Sequence, residues 1–154
     1  VVGALTPDGT IDREALRRWS DAAGGAGLVF HRAIDTLSHP AEAVDDLIAA
    51  GVVRVLTSGG ASRSIDGIGT LGSLVRQAAG SLEIMAGGGV RVEDIEPLLR
   101  AGVDAVHLSA RRTVGQGVPS GPGGGDPGHD ATDGSIVAEA VATLRRTLRG
   151  AAQG

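Results

Sequence analysis

Apolar and polar positions follow one repeating order along this chain. A short β-branched or apolar run comes first, then a loop with Gly or Asp, then a stretch with apolar residues three and four apart. The first run is Val1–Leu5. Its helix is predicted from about Asp12 to Ala23, with Leu16, Trp19 and Ala23 on one face. The second strand is predicted over Leu28–Ala33, and its helix starts at Pro40, carries Val44, Leu47 and Ile48, and stops at Gly51. The third is Val52–Thr57, with a helix carrying Leu71, Leu74, Val75 and Ala78. The fourth is Leu82–Ala86, with Ile95, Leu98 and Leu99 on a helix that ends at Gly102. The fifth is Asp104–Leu108. A last helix, from about Ser135 to Arg149, carries Val137, Ala140, Val141, Leu144 and Leu148 as an apolar stripe.

Consecutive βα units predict a parallel sheet covered by helices, in a (β/α)8 barrel or an open doubly wound sheet. Neither G-x-G-x-x-G nor a Walker motif follows the first strand. Five units are too few to close a barrel of eight, so the pattern reads as an incomplete TIM barrel of about five C-terminal units, with unpaired edges at Val1–Leu5 and Asp104–Leu108. The opening Val-Val-Gly-Ala-Leu has neither Met nor a charged n-region and reads as a strand entered midway rather than a signal peptide. Residues 1–154 are expected to form a single partial domain. The segment from Gly115 to Asp130, mostly Gly and Pro up to Gly128, is expected to be a flexible loop.

Composition narrows the chemistry. The chain has 154 residues, no Cys and no Lys, so disulfides, thiolate ligands, Schiff bases and a Walker lysine are excluded. A net charge of −4 and the absence of a basic run argue against nucleic acid as a partner. No apolar stretch is long enough for a transmembrane helix.

Ligands of parallel α/β folds bind beyond the C-terminal strand ends, and here those ends are polar and Gly-rich. Alternation on the second strand puts Leu28 and Phe30 toward the helices and points Val29, His31 and Ala33 inward. On the fifth strand it points Ala105, His107 and Ser109 inward. His31 and His107 are therefore expected to converge, with His31, Arg32, Asp35 and His107 as candidate acid–base and anion-binding catalytic residues. Thr57, Ser58 and Gly59 end the third strand. Gly87, Gly88 and Gly89 precede a helix start near Val92. Counted from the end of a barrel, their loop and that of Ser109 and Arg111 follow strands seven and eight, where phosphate sites form. All eight residues are candidate anion ligands. Arg54 and Glu83 on neighbouring strands are expected to form a buried structural ion pair.

Four ordered motifs carry a family resemblance. They are Phe30-His31-Arg32-Ala33-Ile34-Asp35, Arg54-Val55-Leu56-Thr57-Ser58-Gly59-Gly60, Ile84-Met85-Ala86-Gly87-Gly88-Gly89-Val90 and His107-Leu108-Ser109, after an opening Gly3-Ala4-Leu5-Thr6-Pro7-Asp8-Gly9. Over about residues 1 to 110 the sequence resembles the CutC copper homeostasis family. The resemblance implies a cytoplasmic (β/α)8 barrel, a homo-oligomer, and copper as the bound metal. The sequence departs from the family's usual pattern at Ile34 and Ala86, and it lacks the Cys-bearing strand of the family's N-terminal half. Cu(I) favours soft ligands. Met85, with His31 and His107, is the set this chain offers it. The alternative reading is an enzyme or binder for a small anionic or phosphorylated metabolite, with His31 or His107 as acid and base.

Overall fold

A computed structural model describes residues 1–114 and 129–151. The chain divides into two compact units, Val1–Leu108 and Ser109–Gly154. The first holds a sheet of four parallel strands in sequential order: β1 (Leu28–Phe30), β2 (Val52–Thr57), β3 (Glu83–Gly87) and β4 (Ala105–His107). Helices α1 (Arg13–Ala22), α2 (Glu42–Ala49), α3 (Ile68–Ala78) and α4 (Ile95–Arg100) alternate with them, in the α/β pattern of a partial (β/α)8 barrel.

Register sorts the two faces of this sheet. Phe30, Val55 and Ile84 lie side by side, as do Thr57, Ala86 and Val106. This face packs on the helices, where Leu16, Val44, Leu47, Leu71, Leu74 and Leu98 are fully buried. Each such side chain stabilises the unit by about 1.5–3 kcal/mol. The opposite face carries Val29, Arg54, Leu56, Glu83, Met85, Gly87, Ala105 and His107. The β3–β4 ladder is anchored at Asp104. Its carboxylate accepts from Ile84 N at 2.8 Å, and its own N–H donates to the Ile84 carbonyl at 2.9 Å.

Several elements differ from the sequence expectation. Val1–Leu5 is not a full strand. Val2 alone bridges β1, through Val2 N to Val29 O and His31 N to Val2 O, both 2.8 Å, before Leu5 turns back to bridge Ile11. The β1 edge is thus partly covered rather than open. β1 stops at Phe30 instead of Ala33, because His31 leaves the strand to cap a short 3-10 helix over Arg32–Thr36. Trp19, expected on the buried face of α1, is 37% exposed, and Ala15 and Leu16 make the buried contact.

The second unit contains an antiparallel pair, β5 (Arg111–Val114) with β6 (His129–Thr132), and helix α5 (Gly134–Ala151). His129 and Asp130, expected in the loop, belong to β6. The rest of that expected loop, 115–128, lies outside the described residues. Along the stripe of α5, Ala140 is buried, whereas Val137, Val141 and Leu148 are exposed.

Candidate functional site

The C-terminal end of the sheet is organised around one carboxylate. Asp35 sits in the 3-10 helix after β1, with its side chain 8% exposed. It accepts from Thr57 Oγ1 at 2.5 Å, from Arg32 Nε at 2.7 Å, from Ser58 N at 3.1 Å and from Gly60 N at 3.2 Å. The Ser58 hydroxyl lies within donating distance of both Asp35 Oδ2, at 2.9 Å, and the Ala61 carbonyl, at 2.7 Å. Donors of the loop after β2 thus hold the chain's own Asp35; Thr57 and Ser58 take part, whereas the Gly59 amide donates to Thr57 Oγ1 at 2.9 Å. Burial alone raises the Asp35 pKa. The bonds from Thr57, Arg32 and Ser58 outweigh burial and hold the carboxyl below its ordinary range.

Arg32 is fixed by this arrangement. Its Nε faces Asp35, and its Nη2 donates to Ser58 Oγ at 2.8 Å. Its Nη1 side faces the glycine loop after β3. Gly88 has φ +145°, and a Cβ there would lie 2.9 Å from Ser58 Cβ and 3.2 Å from Arg32 Nη1. Only a glycine tolerates both that backbone and that approach. The next residue, Gly89, is covered by Arg63, whose Nε donates to the Gly89 carbonyl at 3.3 Å and whose Nη2 bonds Asp94 at 2.8 Å. Ser64 N donates to the Gly88 carbonyl at 2.8 Å. Arg63, Ser64 and Asp94 escaped the sequence reading. The carboxylate three residues after Arg91 was the available signal, since Asp94 also accepts from Arg91 N at 2.8 Å in a helix-start box.

The other candidates occupy different places. His31 accepts from Ala33 N on Nδ1 at 3.0 Å, and its ring lies where a side chain on Gly3 would stand. Having left the strand, it no longer obeys the alternation that pointed it and Ala33 inward. His107 ends β4, so β2 and β3 stand between β1, which His31 follows, and His107. Gly87 pairs with His107, and a Cβ on Gly87 would lie 3.2 Å from His107 Cβ and collide with Leu56 Cδ1. Met85 is two residues earlier on β3 and shares the face of His107. Arg54 and Glu83 do pair, with Nε to Oε2 at 2.6 Å. Their side chains are 39% and 51% exposed, so the pair is not buried as expected. Ser109 opens the second unit. Arg111 lies on β5 rather than in a phosphate loop, and pairs with Asp130 at 3.1 Å.

These motifs are matched by known proteins. The sequence model of the CutC family covers residues 1–112. The chain belongs to the CutC family. The CutC family protein of Xanthomonas axonopodis pv. citri is 43% identical over 121 residues, which are 78% of this chain and 50% of that protein. The Porphyromonas gingivalis CutC is 45% identical over 115 residues, 74% of this chain and 46% of the relative. The crystal structure of CutC from Streptococcus agalactiae, named a putative copper homeostasis protein, superposes with a TM-score of 0.65 at 35% identity. It covers 69% of this chain and 53% of that one. The chain thus spans about half the length of the curated relatives it matches.

Copper is the metal that the family name brings with it. The chain has no Cys, and among the described residues no three His, Asp or Glu side chains group as a metal site. What the CutC sheet does place on one face of adjacent strands is a thioether, Met85, and an imidazole, His107. That pair fits a soft ion of low coordination number and not a harder, many-coordinate one.

Proposed function

We propose that this CutC-family chain takes part in copper homeostasis by binding Cu(I) as cargo through Met85 and His107. The observation that carries the reading is the β3–β4 register, which pairs Met85 with Ala105 and Gly87 with His107 and so puts the soft thioether and the imidazole diagonally on the same sheet face. Cu(I) prefers sulfur, and imidazole is an acceptable second ligand. His31 is outside this pair, because it lies beyond β1 with its Nδ1 engaged by Ala33 N. On the family resemblance we also place the protein in the cytoplasm as a homo-oligomer. Cell fractionation and light scattering test those two points.

Competition with a chromogenic Cu(I) chelator, under anaerobic conditions, tests the site. Met85→Leu and His107→Gln are each expected to weaken Cu(I) binding by at least about tenfold, which corresponds to the loss of about 1.4 kcal/mol. Unchanged affinity in both variants overturns the site.

A further inference from the structure

We infer that Arg32 is the recognition residue for a small oxyanion, a carboxylate or a phosphate group, at the mouth formed by the loops after β1, β2 and β3. This is independent of the copper reading, since it uses neither Met85 nor His107.

Three observations carry it. First, the guanidinium is immobilised before any ligand arrives: Asp35 takes Nε at 2.7 Å and Ser58 takes Nη2 at 2.8 Å. A planar fork held this way has already lost the rotamer freedom that binding would otherwise cost. Second, the fixing partner stays ionised, because its hydroxyl, guanidinium and amide donors outweigh its burial. Third, the fork is not consumed by its partners. The Arg32 side chain is 45% exposed, and among the described residues Nη1 meets no acceptor. Gly88, with no Cβ, lets the guanidinium lie close against its backbone on the Nη1 side. A residue that served only to latch two loops would have no need of an open donor edge at the end of the sheet where α/β folds bind ligands.

Charge limits the ligand class. Arg32 is balanced by Asp35, and Arg63 by Asp94, at 2.7 and 2.8 Å. With no net positive charge at the mouth, a polyphosphate finds little to neutralise it. A single oxyanion that accepts from Nη1 and the remaining Nη2 hydrogen suits the fork.

Arginine modification of the full chain by phenylglyoxal, read by peptide mass, tests this without a mutant. Inorganic phosphate or malonate, at ionic strength matched with chloride, is expected to slow modification of Arg32 severalfold and to leave the exposed Arg91 unchanged. The anion that protects at the lower concentration names the source of the oxyanion. Calorimetric titration then compares the wild type with Arg32→Lys, which keeps the charge and loses the fork. At least a tenfold loss of affinity is expected for the anion that protected. Equal modification of Arg32 with and without both anions, or equal affinity in Arg32→Lys, overturns the inference.

Discussion

The two polar regions of the sheet are built on opposite terms. At its C-terminal end, Asp35 accepts from four donor groups with the Ser58 hydroxyl within reach, and Thr57 and Ser58 are almost wholly buried around it. On the face away from the helices, Arg54 and Glu83 have one another and remain partly exposed. Both contain a short Arg–carboxylate contact. Only the first is embedded in a network, and it is desolvation together with shared partners that gives such a contact its weight. The proposed copper pair shares the sheet face of Arg54 and Glu83, and the proposed oxyanion site lies at the end organised by Asp35.

The largest effect expected from this contrast is that of Asp35→Ala. It strands the Thr57 hydroxyl, the Ser58 and Gly60 amides and the Arg32 guanidinium at once, and should cost about 3 kcal/mol in urea unfolding. A loss below about 1 kcal/mol would mean that the Asp35 network is no stronger than a surface pair. The next effect is with pH. The folded Asp35 pKa is lowered, so its contribution is complete above the unfolded value of about 3.9 and disappears as pH falls through the folded value. The midpoint gap between wild type and Asp35→Asn should therefore be wide at neutral pH and narrow in acid below about pH 4. A gap independent of pH would contradict an ionised Asp35. The smallest effect is that of Glu83→Gln on the open face, which should change stability by less than about 1 kcal/mol. A cost equal to that of Asp35→Ala would erase the distinction between the two regions.

How much of this was legible in the sequence depended on the range of the interaction. β2 has the expected bounds, Val52–Thr57, because a run of β-branched and apolar residues ended by Gly59-Gly60 is decided locally. β1 is shorter than the expected Leu28–Ala33 because His31 can continue a strand or cap a 3-10 helix, and the bond its Nδ1 accepts from Ala33 N selects the second. The strand-end motifs drew notice to Arg32, Asp35, Thr57, Ser58 and Gly88, yet nothing local says that Asp35 takes the donors of residues more than twenty positions away. Arg111 lies on a strand and not in the expected loop because its partner strand, His129–Thr132, comes after the Gly- and Pro-rich run, across which no periodicity connects the two.

The order of the strands has a consequence for how the unit is assembled. β1, β2, β3 and β4 each pair with the strand that follows in sequence. Every ladder therefore closes a loop of one βα repeat, and loop-closure entropy grows only slowly with length. The paired positions lie one repeat apart, as Leu28 and Val52 or Met85 and Ala105 do, so no ladder has to wait for the whole unit. The first unit can thus form by accretion, each repeat laid on the one already in place.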